Sequence, residues 1–320
     1  MRSLVGHRWV RRVARSLFVL WAAMSLVFVL TNLIGDPAIA TLGPRAHASQ
    51  IAEFRQAHGL DRPFYVQYLS YFGSILRGDL GTSFRDGQPV LDVVLVRLPR
   101  TVLLGVMAMG FELVFGLGMG LLAALRRNTM LDALAMSVSY LGVSTPSFLI
   151  GLLMLEVFAF RLGWLPAGGY GVTMGEHLQH ALLPALTLAI VGAATYARVL
   201  RSELIETLRA DYVRTARSKG LGRARVVIAH ALRNAVLPII TLVGMSMPLL
   251  VGGAIVTETV FGWPGIGRLS IEAIYALDVP MILGIVLMSA ITVQLGNLLA
   301  DVVVSRIDRR VKSEDDLPVR

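Results

Sequence analysis

The stretch TVLLGVMAMGFELVFGLGMGLLAAL, residues 101–125, carries one charged residue, Glu112. A helix needs about 20 residues to cross the roughly 30 Å of bilayer hydrocarbon, and a backbone there must satisfy its own hydrogen bonds. The stretch lacks the apolar–polar alternation of a barrel strand, so it reads as a membrane-spanning helix. Five further stretches read the same way: Ser16–Ile34, Ala133–Phe160, Ala181–Val199, Ala235–Thr257 and Pro280–Val304. The expected fold class is therefore all-α and integral to the membrane, with about six spans. The composition agrees, with 55% hydrophobic and 16% charged residues, against roughly 25% charged in a soluble domain.

The first span follows Arg8, Arg11, Arg12 and Arg15, as a signal peptide would. Its apolar run is longer than a usual signal core, and Gly35-Asp36-Pro37 follows it instead of a small-x-small cleavage site. It is read as a retained helix. The chain then divides into an N-terminal flank (1–15), the first span (16–34), an external region (35–99), a five-helix core (100–304) holding a long polar loop (201–234), and a tail (305–320).

Lys/Arg asymmetry orients the spans. Arginines crowd the N-terminal flank, the Arg126-Arg127 connection, the 201–234 loop and the tail, whereas the third and fifth connections carry only Arg161 and Arg268. Both termini are expected in the cytoplasm. The net charge of +9 lies between apolar segments, which points to membrane lipid as its partner and not to nucleic acid. In the external region, Pro63–Arg77 reads as an amphipathic helix with Tyr65, Tyr68, Leu69, Phe72 and Leu76 near one face.

The loop 201–234 carries eight basic residues against Glu203, Glu206 and Asp211. Asp211 is placed to cap a helix over Tyr212–Lys219, Gly220 to stop it in a left-handed conformation, and Gly222 to permit a second bend before a helix over Arg223–Asn234. A positive anchor on anionic lipid explains the charge. It does not explain a capped helix, a glycine stop and a loop this long, which together suit docking to a cytoplasmic protein.

Several chemistries find no support. The two lysines, Lys219 and Lys312, follow serine and valine, so neither belongs to a Walker A loop. There is no cysteine, which removes disulfides and thiolate sites. His177 and His180 lack an HExxH context and read as hydrogen-bonding residues, so no metal site is expected. No G-x-S-x-G elbow occurs; Gly244–Pro248 is the nearest approach and lacks the last glycine. Glu112 and Glu156 lie inside spans, where a carboxylate is costly; a functional role and a bonded structural role both stand open. Gly116, Gly118 and Gly120 contain a GxxxG spacing suited to helix packing, while Met245, Ser246, Met247 and Gly252 in the fifth span offer an adaptable path lining.

Residues 211–221 (DYVRTARSKGL) and 230–238 (HALRNAVLP) resemble the EAA loop of binding-protein-dependent ABC importer permeases, in the form of the dipeptide/oligopeptide/nickel branch (oligopeptide-permease B type). Further motifs agree along nearly the whole chain: Gly35-Asp36-Pro37, GLDRP at 59–63, Gln67-Tyr68, GDLGTS at 78–83, TPSF at 145–148, WLP at 164–166, ETVFGWPGIG at 258–267, and Asn297 with Asp301. The tail departs from the family, with Asp308-Arg309-Arg310 where Asp-Pro-Arg is usual.

This resemblance implies a type I ABC importer permease fold in a bacterial inner membrane. It implies a non-catalytic subunit forming half of a path for di- or oligopeptides or a related small solute. The implied partners are a second, different permease, two ATPase subunits that bind ATP and Mg, and an extracytoplasmic binding protein; no cofactor belongs to this chain. Asp211–Leu221 becomes the coupling helix, with Asp211, Tyr212, Arg214, Thr215, Ala216, Arg217, Lys219, Gly220 and Leu221 contacting or shaping the ATPase interface. Tyr212 and Ala216, four apart, share a helix face. Glu258, Phe261, Trp263 and Gly265 are expected to meet the binding protein. A self-sufficient secondary transporter would need paired intramembrane charges and broken helices, and a membrane enzyme would need a catalytic constellation.

Overall fold

A computed structural model describes the backbone of residues 2–307 and the side chains of 14–33, 35–246 and 254–298. In chain order the helices are α1 (Arg2–Ile34), α2 (Pro37–Leu42), α3 (Ala48–Ala57), α4 (Phe64–Ile75), α5 (Val90–Leu125), α6 (Met130–Ser144), α7 (Ser147–Met154), α8 (Met174–Thr207), α9 (Asp211–Ser218), α10 (Arg223–Arg225), α11 (Arg233–Ala235), α12 (Leu237–Val260), α13 (Ile266–Tyr275) and α14 (Val279–Ile307). Wider π-helical turns continue α7 over Leu155–Arg161 and join α10 to α11 over Val226–Leu232. Apart from one isolated bridge between Thr82 and Pro89, the described residues are helices and loops.

Among the described residues, four helices are long and apolar enough to span a bilayer unbroken, and two bent pairs, each counted as one span, bring the number to six. The expected boundaries need correction. α5 runs for 36 residues and α8 for 34, about 50 Å each at 1.5 Å per residue, well beyond the apolar stretches within them. A capping box fixes the start of α8: the Thr173 hydroxyl accepts from the Glu176 amide, and the Glu176 carboxylate accepts from the Thr173 and Val172 amides. The expected third span is not one straight helix. Thr145 is extended before Pro146, as a residue preceding proline prefers, and the chain turns by 108° between Met130–Ser144 and Ser147–Arg161.

The chain forms two compact units. One combines the chain up to Arg100 with Gly265–Gln294. Its core holds Leu80, Val90, Val94, Ile266, Leu269, Met281 and Ile285. The amphipathic helix α4 is present, and the residues read as near one face divide between a packed side and an exposed one. Tyr68, Tyr71, Phe72 and Ile75 pack on Met24, Phe28 and Leu283, while Tyr65, Leu69 and Leu76 are exposed. A helix has room for one such stripe, and α1 selects the residues it meets. Asp36 caps α2 through the Ala38 amide and pairs with Arg55 of α3. Buried Asp278 accepts from the Ser83 hydroxyl and from the Phe84 amide at 3.1 Å, tying the 78–87 loop to the start of α14.

The other unit holds Thr101–Pro264 and the chain from Leu295. Here the GxxxG stripe has an evident purpose. A Cβ on Gly116 would stand 2.8 Å from the Ala193 carbonyl oxygen, and one on Gly120 would stand 2.7 Å from that of Ala197. Both glycines thus admit the α8 backbone, whereas Gly118 faces open space. Near the start of α6, buried Asp132 accepts from Arg201 of α8 through Nε and Nη2 at 2.5 and 2.7 Å, and from the Asn128 amide.

Candidate functional site: the polar hairpin

The polar loop between α8 and α12 folds as two short helical arms. α9 forms the first, and α10, the π turn and α11 form the second. Helix α9 begins one residue earlier than expected. Ala210 takes the extended N-cap position, and Asp211 is the first helical residue, where its side chain makes no cap bond. Asp211 still places a negative charge at the positive end of the helix, 3.6 Å from Arg214.

The helix ends as its sequence predicts. Gly220 adopts φ +79°. The Leu221 amide donates to the Ala216 carbonyl and the Gly220 amide to that of Arg217, the two bonds of a Schellman stop. Leu221 then folds back beside Ala216 on one apolar cluster.

That cluster sets which face of α9 is available. Val213 (0% exposed) and Ala216 (7%) point inward, onto Leu200 and Leu204 of α8 and Val226, Ala231 and Ala235 of the second arm. Ala216 therefore shapes the hairpin from inside and presents almost no surface, which leaves it the shaping part of its expected contacting-or-shaping role. Tyr212, four residues away, is exposed, and its hydroxyl accepts from Asn234 Nδ2 at 2.9 Å, bracing one arm against the other. Asp211, Arg214, Thr215, Arg217, Ser218, Lys219 and Gly220 lie outward and exposed. A cleft of about 450 Å³ beside Arg217, Leu221 and Arg223 opens toward Leu125 and Leu208. The sealed inner face makes the hairpin a stiff projection, and its outer face is polar and mostly cationic.

The expected path residues divide. Met245 is 69% exposed, whereas the Met247 side chain and the burial of Gly252 lie outside the described residues. Ser246 is engaged: it pairs with the Tyr196 hydroxyl at 3.0 Å and donates to the Val243 carbonyl. The Tyr196–Ser246 bond ties α8 to α12, and the Glu112 carboxyl of α5 lies close enough to Tyr196 to interact with it electrostatically. Glu112 is 7% exposed and occupies the space left by Gly192, where a Cβ would fall 2.2 Å from its carboxyl carbon. Glu156 is exposed and pairs with Arg161 at 2.8 Å.

The segment expected to meet a binding protein is largely interior. Glu258, Phe261 and Trp263 are at most 2% exposed. Thr101 donates to Glu258 at 2.6 Å, Trp263 meets the Tyr170 ring edge-on, and the Phe261 carbonyl accepts from the Gly169 amide. His177 and His180 bond the Tyr170 and Gly168 carbonyls, fixing the same 162–173 loop. Gly265 caps α13. Side chains this buried within the subunit present almost no surface of their own.

Sequence reasoning missed the Asp278 clamp, although Asp278-Val-Pro280 carries a helix-start signature. It also missed the Asp132–Arg201 pair, whose partners lie 69 positions apart, and the Tyr212–Asn234 brace.

Two family models match most of the chain. Residues 7–105 match the N-terminal region of membrane components of binding-protein-dependent transport systems, and residues 116–313 match the inner-membrane component itself. The chain belongs to this family. The second match contains the whole hairpin. The glutathione transport system permease protein GsiC of Escherichia coli is 38% identical over 304 residues, which cover 95% of this chain and 98% of that protein. The oligopeptide transport system permease protein AppB of Bacillus subtilis is 36% identical over 310 residues, with 95% and 98% covered. Among solved structures, an inward-facing MetNI methionine ABC transporter matches with TM-score 0.58 at 18% identity, over 68% of this chain and 97% of that one. The fold is that of a type I importer permease, and the protein is a multi-pass inner-membrane permease component.

Proposed function

We propose that this permease forms half of the translocation path of an ATP-driven importer for peptides or peptide-like solutes. α9 couples it to an ATPase. One observation carries the reading: α9 turns Val213 and Ala216 into its own subunit and leaves Arg214, Arg217 and Lys219 outward. A face held rigidly from behind transmits force when a partner moves it. The positive-inside rule places the hairpin and both termini in the cytoplasm, where two ATPase subunits bind ATP and Mg, each receiving one permease hairpin.

Closure of the ATPase pair then displaces the hairpin, and α8, continuous with its stem, carries the displacement into the bundle. A second, non-identical permease completes the path, and an extracytoplasmic binding protein delivers the solute. The chain itself catalyses no reaction. The peptide class rests on the glutathione and oligopeptide relatives.

Recovery of the tagged protein from its native membrane in mild detergent tests the assembly. The expected result is two ATPase chains, or two copies of one, with a second six-span permease. A purely homomeric chain, under conditions that preserve a reference importer, overturns the proposal.

A further inference from the structure

The unit formed by the chain up to Arg100 and Gly265–Gln294 contains a cavity of about 560 Å³ between the end of α1, α3, α4 and the start of α14. Its volume lies within the roughly 300–1,000 Å³ of small-molecule sites. Its chemistry is asymmetric. Phe28 and Leu283, 4% and 1% exposed, form an apolar floor. Ser70 and Ser74 bring hydroxyls to the wall.

The rim carries charge. Arg55 is committed to Asp36, so that pair is neutral overall. Arg62 has no such commitment: no ion pair or side-chain hydrogen bond engages its guanidinium among the described residues. It lies over Gly59, which adopts φ +65° and whose Cβ position would be 3.5 Å from Arg62 Nε. One unmatched guanidinium above an apolar floor selects an amphiphile with an anionic end. A guanidinium binds a carboxylate through two parallel hydrogen bonds. An acyl chain would use the floor and leave the wall hydroxyls without ligand partners, whereas a peptide group can bond them.

We infer that this cavity binds the C-terminal end of a short peptide, its carboxylate on Arg62 and its apolar last side chain on Phe28 and Leu283. The inference rests on the peptide-importer reading and adds a solute site in the external region, separate from the residues of the path. The 78–87 loop, held by Asp278, supplies the wall at Gly81, Thr82 and Phe84, so the site is preformed on the unit's own framework.

Photolabelling tests it on the complete importer in phosphatidylcholine nanodiscs, with alanyl-p-benzoylphenylalanine as probe. Labelling is expected within residues 28–37, 67–84 or 279–283. Free Ala-Phe should compete and its C-terminal amide should not. Arg62→Gln should weaken labelling about tenfold, the scale of one lost charge-assisted interaction; Arg62→Lys should retain part of it. Absence of label from these segments overturns the inference, as does equal competition by the amide. Displacement by phosphatidylglycerol but not by Ala-Phe would assign the cavity to anionic lipid and also overturn it. The parent reading fails separately, if no ATPase accompanies the permease. If the complex assembles and hydrolyses ATP with its binding protein while the cavity stays unlabelled, this inference alone fails.

Discussion

Gly220 is the residue on which the shape of the hairpin turns. Its φ of +79° lies in the left-handed region, and nothing stands within 4 Å of a Cβ built there. A substitution therefore meets a backbone penalty and no collision. Gly220→Val should cost about 1–2 kcal/mol locally and reduce ATP hydrolysis stimulated by the binding protein in reconstituted complex. Gly220→Asn, which tolerates that region better, should retain most of the stimulation. Unchanged stimulation in the valine variant of an assembled complex would show that this turn does not matter to coupling. The glycine stop was readable in sequence because few residues adopt that conformation. The cap was not: Asp211 suits the N-cap position, but local geometry gave that position to Ala210, which has no capping side chain.

Asp36 offers a test of sign. Burial raises its carboxyl, but the Arg55 guanidinium and the Ala38 and Ile39 amides outweigh that and hold it below its ordinary value. A lowered carboxyl contributes stability that is fully present above the unfolded value of about 3.9 and is lost as pH falls through the lower folded value. Hydrogen-exchange protection factors over α2 and α3 should stay level from neutral pH to about 5 and decline only below about 4. Asp36→Asn should lower them at pH 7 and flatten the dependence.

Among elements, the α5–α8 contact makes the sharpest comparison. Gly118 and Gly120 differ by two positions and point to different surroundings. Gly120→Ala drives a methyl against the Ala197 backbone and should cost about 1–3 kcal/mol, the usual penalty for overpacking. Gly118→Ala should be neutral or slightly stabilising. Thermal unfolding of the two variants in one detergent measures the difference. Asp132→Ala strands Arg201, 27% exposed at its side chain, and should cost about 2–4 kcal/mol, lowering the yield of assembled complex. Arg201→Lys should lose part of that, since an ammonium cannot reproduce the fork. Hydropathy located the apolar middle of each span because transfer to lipid dominates there. It placed the ends poorly because capping residues such as Thr173 and Glu176 set them, and these carry little hydropathy signal. The 108° turn at Thr145-Pro146 lay inside a continuous apolar run, and only the proline marked it. On α4 the periodicity was legible, but the buried stripe depended on Phe28 and Leu283, distant in sequence.

At the scale of the whole molecule, a membrane bundle carries a stiff polar hairpin, and the proposed coupling falls to one face of a two-turn helix. The face follows from packing: Val213 and Ala216 are taken by the subunit's own cluster, so only the opposite side can meet a partner. Sequence indicated the hairpin and its charge. It could not divide the hairpin's residues between inside and outside, because the side chains that bury Ala216 come from α8 and from the second arm. The chain has no cysteine, so a single introduced cysteine reports one position cleanly. Single cysteines at Arg214, Arg217 and Ser218, and at the inward Val213, would be treated with a short thiol crosslinker in native membranes. Crosslinks to an ATPase subunit are expected from the outward positions, modulated by ATP, and none from Val213. No crosslink from any outward position, under conditions where a reference importer gives one, would contradict the proposed coupling, as would equal crosslinking from Val213.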